Sequence, residues 1–104
     1  MTERSTMAAY MIVFAKVHDR TRFFAEYAVP TAELIAKMGG EYVVRAPGVE
    51  AFEGGLFDGD SAVISKWPDK NAIRAFWSSP EYEALKAARQ SLADAHVMVV
   101  EEPS

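Results

Sequence analysis

The sequence predicts an α+β fold, one antiparallel sheet with helices packed on a single face. Three features of the chain predict it. Short apolar strands and helical stretches follow one another in the order β-α-β-β-β-α-α-β. The first and last strands are apolar on both alternating faces. The helical stretches are marked at their ends by capping residues and by a glycine pair.

Taken in order, Ala8 to Val17 is the first strand, with Tyr10, Ile12 and Phe14 on one side and Met11, Val13, Ala15 and Val17 on the other. Asp19 can cap the helix that follows, expected from about Arg20 to Met38. Phe23, Tyr27, Leu34 and Met38 recur near helical spacing, as do Phe24, Ala28, Thr31 and Ile35. Pro30 has no N–H for the carbonyl of Glu26, so the helix should kink or restart there. Gly39-Gly40 supplies a left-handed stop. Glu41 to Ala46 is a second strand and Val49 to Glu53 a third, ended by Pro47-Gly48 and Gly54-Gly55. Ser61 to Trp67 is a fourth strand. Asp69 then caps a helix to about Trp77, and Ser79 caps another that starts at Pro80 and runs to about Asp94. Val97 to Glu101 is the final strand. The order fits a ferredoxin-like split βαβ sandwich with helices on one face. Its other face is apolar and needs a cover, and the same face of a second copy is the simplest, so a homodimer is expected.

At 104 residues the chain is expected to form one domain over 8–101, between short polar tails at 1–7 and 102–104. The net charge of −4 comes from 11 basic and 15 acidic residues. The basic residues are scattered, which argues against nucleic acid and against a polybasic membrane anchor. The chain has no cysteine, which excludes disulfides, thiolate nucleophiles and Cys-bound metals and is compatible with a reducing cytoplasm, the expected location. No apolar run approaches the length of a membrane span.

Several segments together resemble a known family: Glu26-Tyr-Ala-Val-Pro30, Gly39-Gly40, Val43-Val-Arg45, Val49-Glu-Ala-Phe-Glu-Gly54, and above all Ala72-Ile-Arg-Ala-Phe-Trp-Ser-Ser-Pro-Glu-Tyr82 with Arg89 and Ala93-Asp-Ala95 downstream. This is the family of small dimeric α+β barrel proteins known as domain of unknown function thirteen-thirty. The resemblance spans roughly Ala8 to Glu101. It departs where Ala46-Pro47-Gly48 follows the arginine in place of a glycine pair, and where His18-Asp19-Arg20 stands in place of Asp-Pro. It implies the dimeric ferredoxin-like fold and no settled activity. The wider superfamily includes cofactor-independent monooxygenases, lactone isomerases, polyketide cyclases and haem-handling enzymes.

Strict alternation puts Arg45 on the strand face of Glu41 and Val43. There it could hold a carboxylate or enolate oxygen, or simply pair with Glu41, Glu53 or a partner-chain carboxylate. Arg89 shares a helix face with Tyr82, Leu85 and Leu92, either as a ligand-binding group or as a structural clamp, with Glu81 and Asp94 as candidate partners. Tyr27, Phe76, Trp77 and Tyr82 could wall an apolar pocket with hydroxyl handles, or be core. His18 and His96 are the only side chains whose ordinary pKa lies near neutrality, and His18 stands at a strand-to-helix junction suited to proton transfer. Candidate catalytic residues are thus Arg45, His18 and Tyr27, and candidate ligand-binding residues are Arg45, Trp77, Tyr82 and Arg89. No metal ligand set or phosphate loop is present, and no cofactor is expected. The expected function is a cofactor-free enzyme of isomerase, cyclase or monooxygenase type on a small apolar or aromatic molecule. The alternatives are a non-catalytic small-molecule binding or accessory dimer, and a purely structural dimer.

Overall fold

The computed structural model describes residues 7–103. Strands β1 (Ala9–Val17), β2 (Glu41–Ala46), β3 (Ser61–Trp67) and β4 (Ala93–Glu101) form one antiparallel sheet in the order β2-β3-β1-β4. Helices join β1 to β2 and β3 to β4, so each crossover skips over one intervening strand and both sets of helices land on one face. This is the split βαβ arrangement expected from the element order. On the covered face Ala9, Met11 and Ala15 of β1 are buried with Trp67, Ile35, Ile73, Phe76 and Tyr82.

The first helical stretch is continuous but not uniform. It comprises α1 (Arg20–Phe23), a π-helical segment at Phe24–Ala28, and α2 (Val29–Lys37). Asp19 caps it by accepting from the Arg22 N–H at 3.0 Å. The restart expected near Pro30 takes the form of a π turn: the Val29 N–H reaches back five residues to the Phe24 carbonyl. Pro30 itself sits in the first turn of α2, where a missing N–H costs nothing. Gly39 closes the stretch at φ +102°, a left-handed conformation that favours glycine. The helices α3 (Lys70–Trp77) and α4 (Pro80–Arg89) begin at the predicted caps, Asp69 accepting from the Ala72 N–H at 2.8 Å and Ser79 from the Tyr82 N–H at 3.1 Å.

Two expectations are corrected. Val49 to Glu53 is not a strand. It lies between left-handed glycines at Gly48, Gly54 and Gly55, and its backbone bonds close locally: Val49 pairs with Gly59 and Asp60, and the Ala51 N–H donates to the Asp58 carboxylate at 2.7 Å. With its hydrogen bonds closed locally it joins neither edge of the sheet, and Phe52 is 92% exposed. The last helix ends at Arg89 rather than near Asp94, and β4 starts at Ala93 rather than Val97. Leu92 is the pivot. It is buried, its N–H returns to the Arg89 carbonyl, and its own carbonyl accepts from His18, which brings Ala93 into register opposite Val17. Nine residues of β1 therefore pair with nine of β4.

The second face of the sheet carries Tyr10, Ile12 and Phe14 of β1, Ile64 of β3, and His96, Met98 and Val100 of β4, aligned by register. The β2–β3 connection folds back over part of it, where Phe57 stacks on Phe14 at 4.4 Å and lies 5.0 Å from the His96 ring. Met98 and Val100 remain exposed.

Candidate functional site

Between the helices and the sheet lies a cavity of about 100 Å³. Its floor comes from inward residues of the strands, including Met11, Val13, Tyr42, Val63 and Ser65, and its roof from Tyr27, Thr31, Phe76, Tyr82 and Arg89. The walls are apolar apart from a few hydroxyls and two guanidinium groups, as in many small-molecule sites. Every ionisable side chain lining it is a tyrosine or an arginine.

The polar groups form a chain. Arg89 is buried on α4, and its Nη1 donates to the Tyr82 hydroxyl at 3.2 Å. The Tyr82 and Tyr27 hydroxyls stand 2.7 Å apart, close enough for a short hydrogen bond. The Arg89 guanidinium also lies 5.8 Å from the centre of the Tyr27 ring, within cation–π range. Tyr27 is delivered by the π-helical segment, and Tyr82 and Arg89 by α4 at a spacing of two turns. Burial, with the neighbouring Tyr27 hydroxyl, holds the Tyr82 phenol well above its ordinary pKa. The Tyr42 phenol is pushed up to about 12, mainly by burial. At neutral pH Tyr42 and Tyr82 are therefore neutral hydrogen-bonding groups and not bases.

No carboxylate lies within ion-pair distance of Arg89 among the described residues; the expected partners Glu81 and Asp94 do not reach it. Its Nε–H is buried without an acceptor, and the hydroxyl of Thr31, only 4% exposed, is likewise unpaired. Buried polar atoms are nearly always paired, so two orphans on the wall of one cavity are notable.

Arg45 reaches this cavity from the sheet, by a route that strict alternation missed. A β-bulge between Tyr42 and Val44 inserts Val43, so that Glu41 pairs with Lys66 while Arg45 pairs with Val63. The parity shift moves Arg45 onto the helix-covered face, beside Tyr42 and away from Glu41. Its guanidinium stacks on the Tyr42 ring at 4.4 Å and makes no salt bridge to Glu41 or Glu53. An outer cleft adjoins the cavity and shares Phe23, Arg45 and Val63 with it. Arg20, Ala46 and Pro47 line that cleft, which sets both departures from the family pattern at its rim.

The other candidates lie elsewhere. Trp77 does not line the cavity but an adjoining open groove with Ile73 and Val99, which shares Met11 and Val97 with the cavity, and its ring backs Tyr82 at 5.2 Å. His18 does not line the cavity; its Nε2 lies 3.1 Å from the exposed Asp94 carboxylate. His96 is on the opposite face of the sheet. Phe76 is 1% exposed and serves core and cavity together. Tyr42 and Thr31 were not singled out from the sequence. Thr31 had a signal, a hydroxyl on an apolar helical stripe, and so did Tyr42, an aromatic on the strand face opposite Glu41. Among the described residues no group of three His, Cys, Asp or Glu could hold a metal ion.

Comparison with known proteins agrees with this architecture. A protein of unknown function from Rhodopseudomonas palustris superposes with a TM-score of 0.76 at 14% identity, covering 96% of this chain and 85% of the other. SnoaB, a cofactor-independent oxygenase from Streptomyces nogalater, superposes with a TM-score of 0.64 at 17% identity and 96% coverage of both chains. A dimeric ferredoxin-like protein of unknown function from Thermobifida fusca gives 0.64 at 18% identity and 92% coverage of both. At these identities the likeness is one of fold. No curated protein matches the chain. Residues 8–103 match the family described as Domain of unknown function (DUF1330), and the chain belongs to that family.

Proposed function

We propose that the chain is a cofactor-free enzyme of isomerase, cyclase or monooxygenase type, acting on a small apolar or aromatic molecule in the cavity between helices and sheet, and that it works as a homodimer. The observation that carries this reading is the chain Arg89–Tyr82–Tyr27 set into an apolar wall. Arg89 can only donate, so the Tyr82 oxygen accepts from it and the Tyr82 proton is free for Tyr27. That leaves the Tyr27 proton for an oxygen of the bound molecule. Hydrogen bonds in such a chain polarise one another, which strengthens the terminal donor. Donors fixed in advance around a developing enolate or phenolate lower the barrier to forming it. Arg45, stacked on Tyr42 at the rim of the outer cleft, adds positive charge from the other side. Trp77 acts by holding the Tyr82 ring from behind. His18 has no part in this machinery, since it faces Asp94 outside the cavity. An enolate or phenolate that has lost its proton to solvent water and is held in this way can reprotonate, cyclise or itself reduce dioxygen, and the fold shared with a cofactor-independent oxygenase supports the last route.

A second reading, a non-catalytic small-molecule binding dimer, is favoured by one observation: neither carboxylate nor imidazole lines the cavity to act as base. The two are separated by following hydrogen–deuterium exchange of small aryl ketones by NMR and dioxygen uptake with small phenols. The enzyme reading expects one of these rates above background, and a drop of about 100-fold in Tyr27→Phe. Ligands that bind without exchange or uptake leave the binding reading in its place.

A further inference from the structure

Resting on the reading of this cavity as the ligand site, we infer that its natural ligand carries a carboxylate, and that the carboxylate oxygens are received by the Arg89 guanidinium and the Thr31 hydroxyl. Thr31 lies outside the tyrosine chain, and the Arg89 atom at issue is Nε, not the Nη1 that donates to Tyr82. Arg89 is 9% exposed, and no acidic side chain among the described residues neutralises it. A buried cation without a counter-charge is strongly disfavoured unless something supplies one. Tyr82 satisfies only Nη1, while the Nε–H has no acceptor. An arginine used in this way has one side of its planar fork engaged and the Nε side unspent, and that side matches two carboxylate oxygens. Thr31, on α2, is the second orphan and lines the same cavity. A hydroxyl there can donate its proton to an anionic oxygen. The apolar floor of Met11, Val13 and Val63 suits the hydrocarbon part of the ligand. The cavity volume of about 100 Å³ limits that part to a short chain or a single ring.

The test titrates the full chain with acetate and benzoate and with their neutral counterparts acetamide and benzamide, following the Arg89 Nε–H by NMR. The expected result is binding of at least one acid at least about tenfold tighter than its amide, as for a hydrogen bond to a charged group, with the Arg89 Nε–H displaced. Thr31→Val should weaken acid binding several-fold while the melting temperature holds or rises, because a buried unpaired hydroxyl is lost. Arg89→Gln should abolish the preference for acid over amide; Thr31→Val decides the matter if Arg89→Gln fails to fold. Equal binding of acid and amide, or an unmoved Arg89 Nε–H, overturns the carboxylate and leaves water as the partner of the two orphans. Neutral aromatics that still enter the cavity in that case leave the proposed function standing. If nothing enters, both readings fall.

Discussion

Gly40 shows how tightly the cavity's surroundings are packed. A Cβ built there would lie 2.6 Å from Trp67 Cε2 and 2.8 Å from Ile35 Cγ2, and both of those side chains are buried. Ile35 borders the cavity, but the Trp67 ring, 1% exposed and not lining it, has no empty space to enter. Gly40→Ala should therefore lower the unfolding free energy by about 2 kcal/mol, within the range for overpacking a core. Urea denaturation checks it, and an unchanged midpoint would mean that the junction of the first helical stretch with the sheet is looser than described. Arg89 and Thr31 follow the opposite rule: they leave bonding capacity unspent where Gly40 leaves no space. Local stability alone does not account for an unneutralised guanidinium and an unpaired hydroxyl on the wall of one cavity.

At the scale of elements, much was legible. The capped starts at Asp19, Asp69 and Ser79 follow from side-chain oxygens placed ahead of a helical pattern, and the structure has each of them accepting the bond. The bounds of β2 and β3 follow from the glycine, proline and capping signals that flank them. The errors have physical causes. Val49 to Glu53 has strand composition, but turn chemistry on either side closes its hydrogen bonds locally. Ala93 to His96 has helix-compatible composition, but pairing with β1 outweighs weak propensity. The face of Arg45 was misjudged because one bulged residue reverses every orientation beyond it, and no residue in Tyr42-Val-Val announces a bulge. Tyr82, Arg89 and Tyr27 were legible as candidates from helical spacing. Their convergence on one cavity was not, because it depends on a π turn and on the packing of α4 over the sheet.

As a whole the molecule is a slab of 48 × 37 × 17 Å, and its radius of gyration of 14.5 Å exceeds the roughly 13 Å of a compact chain this size. One helix layer and one sheet give that thickness, and the uncovered sheet face holds Ile12, Ile64, Met98 and Val100. Among the described residues no helix is long and apolar enough to cross a membrane. A second copy facing this surface would bury its apolar residues, as the homodimer proposal requires. Analytical ultracentrifugation should then return twice the 11.5 kDa of one chain, and Met98→Lys should shift the balance toward monomer; a wild-type monomer at micromolar concentration would refute the dimer. The central claim, however, is that the cavity under the helices is where a small molecule sits. The most direct measurement is a phenol titration followed by amide NMR on the isotopically labelled chain. Saturable shifts gathered at Tyr27, Thr31, Tyr82 and Arg89 are the predicted result. Shifts gathered instead along Ile73, Trp77 and Val99, or none that saturate, would contradict it.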